Sequence, residues 1–190
     1  MVQIVDRIYL NFKVQYSTKE KKMKILTLFF AMFLTFGAVA SAEETATPQE
    51  IFDMVVKGAY LLENLGEEGL AAFNDPDGEL AWKDTYVQVY NCKERQIPGH
   101  PSPAVRAFTP EKFWNLQDSS STYICRSICD AAKNANGGWV EYQWPKLGET
   151  EPSRKITFVT QVPNTPWQVS AGIYDENVSL EELNSKWKVQ

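Results

Sequence analysis

The sequence predicts an α+β domain, an antiparallel sheet with helices collected on one side, and three observations predict it. The patterns run in the order long helix, strand, loop, helix, then three strands. The last three strands follow one another through short, turn-rich links, which make an antiparallel meander the economical arrangement. The leading helix carries one apolar stripe, which calls for a sheet to cover it.

The N-terminal part of the chain reads as targeting sequence and not as part of the fold. Met23-Lys24 precedes an apolar run from Ile25 to Val39, and Ala40-Ser41-Ala42 supplies a small-residue cleavage pattern. The apolar run is 15 residues long, short of the roughly twenty that span a bilayer. The expectation is therefore a secretory signal peptide with cleavage after Ala42, which makes residues 1–42 an upstream extension plus signal and 43–190 one domain in the periplasm. Residues 1–22 show no globular pattern, and Met23 would itself serve as a start.

Removing residues 1–42 leaves 13 basic against 22 acidic residues, a net charge of −9 where the full chain has −5. Such a surface repels phosphate backbones and anionic lipid, so no nucleic-acid partner is expected. The remaining 148 residues suit one compact domain able to bury most of its unfolded surface without staples.

Each element has a local signal. Thr47-Pro48-Gln49-Glu50 has the spacing of a capping box, with Pro at the first helical position. Ile51, Val55, Ala59 and Leu62 then repeat at helical spacing, with Phe52, Val56 and Tyr60 beside them. Gly66 interrupts, Glu67 to Phe73 gives a short helical turn with Leu70 and Phe73 inward, and Asn74-Asp75-Pro76-Asp77-Gly78 is a turn cluster. From Asp84 to Tyr90 the chain alternates, with Thr85, Val87 and Val89 on an aliphatic face and Tyr86, Gln88 and Tyr90 on an aromatic and polar one. A Pro-rich passage runs from His100-Pro101 to Pro110. Tyr123 to Ala135 reads as a second helix, ended by Asn136-Gly137-Gly138. Trp139 to Trp144, Lys155 to Val162 and Trp167 to Tyr174 read as strands, and a helical fragment surrounds Leu180 to Leu183.

Three cysteines remain after export, in a compartment where a disulfide persists. Cys125 and Cys129 lie four apart on one helical face, so Cys92 could reach either, and spacing alone leaves the choice open. With His100 the single histidine and no Cys-x-x-Cys pair, the ligand set for a zinc centre is not there. No cofactor is expected.

Six segments taken together carry a family resemblance: Gly66 to Asn74, Trp82 to Val87, His100-Pro101, Gly137 to Lys146, Lys155 to Phe158 and Ala171 to Tyr174. In this order they resemble the second subtype of the single Cache family, over roughly Gln49 to Tyr174. The resemblance implies a PAS-like fold, an antiparallel sheet with a long N-terminal helix and a crossing helix. It also implies extracytoplasmic placement, a pocket for small ligands, often short carboxylates, and a Cys92–Cys129 disulfide. Cache domains commonly sit in chemoreceptors or kinases between transmembrane helices, whereas here no output domain is expected after Gln190. The expectation is a stand-alone, soluble form that captures a ligand or presents it to a separate membrane receptor or kinase. The stretch Asn91 to Gly99 departs from the family pattern, lacking its Asp-x-x-Gly hairpin and carrying Cys92 in its place.

A pocket for a small organic acid needs aromatic walls and one or two donors aimed at the carboxylate. Tyr142 and Trp144 share strand parity, as do Tyr86 and Tyr90; if the two faces coincide they form a cage. Lys155, opening its strand, or Arg154 before it would hold a cation at the cage mouth. Being adjacent, the two point to opposite faces, and a structural salt bridge is the competing role. The rings have a second reading as ordinary core. His100 either donates to a ligand or locks its loop, Arg106 is a further cation in that loop, and Trp82 and Asp84 fall in a family motif where Asp84 either caps a turn or binds an amine. The ligand-binding set is thus Trp82, Tyr86, Tyr90, His100, Tyr142, Trp144 and Lys155.

Catalysis lacks its parts: His100 is the single imidazole, no Gly-x-Ser-x-Gly elbow is present, and acid pairs among 22 carboxylates arise by chance. No enzymatic activity is expected, so an exported hydrolase ranks below a binder. Two other rivals are a partner-binding module using the acidic surface, and an amine binder in which Asp84 and Glu141 replace Lys155.

Overall fold

A computed structural model of the chain describes residues 45–175 and 177–187. The expected signal segment, Met23 and the expected cleavage after Ala42 fall on residues outside the described ones. Thr47 opens helix α1 (Pro48–Leu65): its hydroxyl accepts the Glu50 N–H while the Glu50 carboxylate accepts the Thr47 N–H at 2.8 Å, the reciprocal cap that the spacing predicts. A 3₁₀ turn (Gly66–Gly69) and the single turn α2 (Leu70–Phe73) bring Phe73 into the core.

The sheet is built from β1 (Ala81–Trp82), β2 (Thr85–Asn91), β3 (Gln96–Gly99), β4 (Gly138–Pro145), β5 (Pro152–Gln161) and β6 (Gln168–Ile173). Every pairing is antiparallel. The order is β1-β2-β6-β5-β4, with β3 also pairing on β2. Strands β4 to β6 form the predicted meander, and β2 closes against β6, with Val87 opposite Ala171 and Val89 opposite Val169.

Between β3 and β4 come α3 (Pro103–Arg106), α4 (Pro110–Asn115) and α5 (Ile124–Ala131), and α6 (Leu180–Lys186) follows the sheet. The passage from His100 to Pro110 is expected to be loop, yet both α3 and α4 begin on a proline there. The first helical position needs no N–H, so proline starts these turns without loss. Helix α5 ends at Ala131, short of the expected Ala135, because the chain turns where the Gly137 N–H reaches the Asn134 carbonyl at 2.9 Å.

The helices are shared between both faces of the sheet and not collected on one. Strands β2 and β6 are buried at every residue, so each face needs cover. On one face Ile51, Val55 and Leu62 of α1 pack on Val87, Val89, Phe158, Val169 and Ala171. On the other, Phe113 of α4 and Ile124 and Ile128 of α5 pack against Tyr90, Tyr142 and Val159. Cys92, just past β2, is bridged to Cys129 on α5, the pairing that the family resemblance implies, while Cys125 is a buried free thiol. The bridge ties the second helical layer to the sheet.

Gly137 has φ +71°, and a Cβ there would collide with the Val159 carbonyl. Gly137→Ala should therefore destabilise the domain by about 2–4 kcal/mol, combining left-handed strain with a backbone clash. Urea denaturation of both proteins checks this, and an unchanged midpoint would show that the β4 entry relaxes freely.

Candidate functional site

Tyr86 and Tyr90 of β2, Tyr142 and Trp144 of β4 and Lys155 of β5 emerge on the same face of the sheet, the face under α4 and α5. Strand β6 lies between β2 and β5 and presents Gly172 and Ser170 there. Gly172 leaves space above the sheet: a Cβ at this position would stand 2.7 Å from Lys155 Cε. The lysine fills that space. It is 0 % exposed, with Nζ 4.1 Å from the centre of the Tyr86 ring and 4.9 Å from that of Tyr174. Its Nζ has no hydrogen-bond partner among the described residues.

This corrects the placement of the cation at a cage mouth. Strand β5 starts at Pro152, paired with Pro145, so Lys155 is well inside the sheet opposite Tyr142 and does not open the strand. Arg154 points to the other face, where it meets Glu141 at 2.6 Å and donates to the carbonyls of Asp175 and Val178, the structural role weighed for it.

The rings around Lys155 are held by their own hydrogen bonds. Trp144 Nε1 donates to Tyr86 OH at 3.1 Å, Tyr142 OH and Thr157 Oγ1 are 2.9 Å apart, and Tyr174 OH donates to the Pro145 carbonyl at 2.8 Å. Tyr90 closes the far end, edge-on to Phe113. His100, just past β3, sets its ring edge against Tyr86 with centroids 4.7 Å apart. Its Nδ1 accepts the Ser102 N–H at 2.9 Å, so the neutral ring carries its proton on Nε2. That nitrogen is buried and has no partner among the described residues. His100 thus locks its loop with one nitrogen and presents a donor with the other, while Arg106 braces the loop by donating to the carbonyls of His100 and Pro101.

Burial sets the charge states. It pushes the Lys155 ammonium down to about 7, partly opposed by the Asp84 carboxylate. Burial, reinforced by the charges of Lys155 and Arg106, takes His100 down to about 3, so the ring is neutral at ordinary pH. The same desolvation raises Tyr86 to about 12 and raises the phenols of Tyr90, Tyr142 and Tyr174, which keep their protons. The result is a dry face bearing an ammonium and an imidazole N–H beside phenol hydroxyls.

Trp82 and Asp84 stand apart from this group. They line a separate cavity of 320 Å³ with Lys83 and Lys146. Asp84 Oδ1 accepts the Ala46 N–H at 3.0 Å, tying down the start of the described chain, and Oδ2 is 3.9 Å from Lys146 Nζ. Sequence reasoning missed Tyr174, Thr157 and Gly172 as neighbours of Lys155. Parity was the available signal, since Thr157 is two residues from Lys155 and Tyr174 two from Gly172. Among the described residues no cluster of three or more His, Cys, Asp or Glu is placed to hold a metal, and no helix is long and apolar enough to cross a membrane.

Solved structures share this architecture. A methyl-accepting chemotaxis protein from Vibrio parahaemolyticus RIMD 2210633 superposes with a TM-score of 0.56 at 15% identity, covering 69% of this chain and 90% of that one. A Cache chemosensory domain, solved for the structural basis of its carboxylic acid recognition, gives 0.55 at 18%, covering 67% and 92%. At these identities the likeness is one of fold. In sequence, the methyl-accepting chemotaxis protein McpP of Pseudomonas putida KT2440 is 26% identical over 66 residues, which is 35% of this chain and 12% of the receptor. The matched stretch is therefore a small part of that receptor's length. The sequence model of the single Cache domain 2 family matches residues 3–188, nearly the whole chain, and the protein belongs to that family.

Proposed function

We propose that this is an exported recognition domain, cleaved after Ala42, that binds a short organic carboxylate beside Lys155 and carries out no reaction. The observation that carries the reading is the wholly buried Lys155 ammonium, without a hydrogen-bond partner among the described residues and flanked by the rings of Tyr86 and Tyr174, with His100 packed against Tyr86. A desolvated cation is costly unless it meets an anion, and an ionised carboxylate supplies both the charge and the acceptors. The ring walls limit the ligand to a small one with an apolar tail. Recognition of carboxylic acids by a domain of similar fold supports this ligand class. His100 offers no free basic nitrogen, because Nδ1 is occupied by the Ser102 N–H, and so a general-base role is not supported. Occupancy would be relayed to a membrane receptor or kinase, in keeping with the chemotaxis proteins that the chain resembles.

Thermal shift with acetate, propionate and lactate, with ethylamine as the opposing probe, tests the ligand class. Acids selective for the native state should raise the melting temperature, by about 2.7 kcal/mol of added stability at a hundred times Kd. Stabilisation by ethylamine alone would overturn the reading. Lys155→Met should abolish the response to acids while the ligand-free melting temperature does not fall, since a buried ammonium is replaced by an apolar chain of similar length. An acid response preserved in that variant would remove Lys155 from the site.

The pH dependence follows from the depressed lysine. In the ligand-free protein the folded value of about 7 lies below the ordinary 10.5, so the unfolded chain holds more protons between them and stability rises with pH across that window. Carboxylate binding needs the ammonium and runs the other way, weakening by about a hundredfold from pH 6 to pH 9. His100 stays neutral throughout and adds no inflection near 6.5. Calorimetric titration of acetate at several pH values measures this, and a flat profile would mean that another group carries the charge.

A further inference from the structure

The cations of this acidic domain are unevenly spread. Residues 92–133, running from the turn after β2 to just past α5, carry six basic and four acidic residues, while the rest of 43–190 carries seven against eighteen. Elsewhere Lys57, Lys83 and Arg154 each meet a carboxylate within 2.7 Å. In the layer over the Lys155 face three cations lie on aromatic rings instead. The guanidiniums of Arg95 and Arg126 stand 4.5 Å and 4.9 Å from the centre of the Trp114 ring, Arg126 is also 3.8 Å from that of Tyr123, and Lys112 Nζ is 3.9 Å from that of Phe108. Arg95, Lys112 and Tyr123 are exposed, Trp114 and Phe108 half-buried. None of the three cations has an ion pair among the described residues. Arg126 is held in place by donating to the Trp114 carbonyl at 2.6 Å and to Asn115 Oδ1 at 2.9 Å.

Stacking on a ring already holds a guanidinium in one orientation, so pairing it with a carboxylate costs less side-chain entropy than pairing a free surface cation. Trp, Tyr and Arg are also the residues enriched where proteins meet. The complement stands on the same chain. Residues 58–82 contain six acidic residues and no Lys or Arg. At the end of α1 and in the 3₁₀ turn after it, Glu63, Glu67 and Glu68 are exposed around Leu65, itself 50 % exposed, and none of the three has an ion pair among the described residues. Helix α1 and the α4–α5 layer pack on opposite faces of the sheet, and no ion pair among the described residues joins these two patches, so their charges are left for a contact between molecules. We propose that the protein self-associates through these unlike patches, the acidic knob at residues 63–68 of one copy docking, with Leu65 at its centre, on the Arg95, Trp114 and Arg126 surface of another. This contact does not rest on the carboxylate reading of Lys155.

The test is sedimentation velocity of the purified protein from about 10 μM to about 1 mM. The sedimentation coefficient should rise with concentration, and raising the salt from about 50 mM to about 500 mM should weaken association at least about tenfold, because the charges meet at the surface. The double variants Arg95→Glu with Lys112→Glu and Glu67→Arg with Glu68→Arg should each stay monomeric while keeping the parent circular dichroism. Mixed in equal amounts they should associate again, since the first brings an intact acidic knob and the second an intact basic surface. The proposal is overturned if the parent stays monomeric to about 1 mM at low salt, or if its association ignores salt. It is also overturned if either double variant associates as the parent does, which would place the contact elsewhere, or if the mixture stays monomeric. Should a charge reversal prevent folding, Arg95→Ala with Lys112→Ala and Glu67→Gln with Glu68→Gln decide the matter, each weakening association at least about tenfold if the proposal holds and leaving it unchanged if it does not.

Discussion

A positive charge kept out of water is the constraint around which this domain is arranged. Removing an ammonium from solvent costs several kcal/mol even after relaxation, and the surroundings of Lys155 answer that cost in several ways. Aromatic faces offer their negative quadrupoles, with the Tyr86 and Tyr174 rings both within 5 Å of Nζ. The Asp84 carboxylate favours the proton from a distance. Gly172 gives up its side chain so that the lysine stem has somewhere to lie. What the surroundings withhold is a direct acceptor from the described residues.

The sheet that carries this charge works as a partition. Its central strand β6 alternates Val169 and Ala171 toward α1 with Ser170 and Gly172 toward α5, so one short run of residues serves an aliphatic core on one side and a polar floor on the other. The α1 side is packed with aliphatic and aromatic side chains, while the α5 side is roofed by a helical layer fastened through Cys92 and Cys129. Arg154 and Lys155, neighbours in sequence, divide between the two sides: one is saturated by Glu141 and two carbonyls, the other is left wanting an acceptor.

Much of this was legible in the sequence because period-two alternation is a local property. Tyr86, Gln88 and Tyr90 separate from Val87 and Val89 on inspection, and the rings of Tyr142 and Trp144 share a face by the same rule. Alternation does not say which strands become neighbours. The pairing of β2 with β6 spans some eighty residues of chain, and the two ring sets coincide only once it joins β2 to the β4–β6 meander. Proline misled the reading twice, at Pro152, where a strand begins earlier than the apolar run, and at Pro103 and Pro110, where short helices occupy a stretch that reads as loop. The depth of Lys155 was not legible at all, since it depends on a glycine one strand away.

The odd cysteine carries a consequence for how the covalent framework lasts. Cys125 sits one helical turn from Cys129, close enough to compete for the same partner. Sulfur exchange proceeds through the thiolate, and burial pushes the Cys125 thiol up to about 12. At neutral pH the attacking anion is thus present in only about one molecule in 10⁵. Once the chain has closed around it, the third sulfur is held as a buried thiol, a poor nucleophile toward the bridge one turn away.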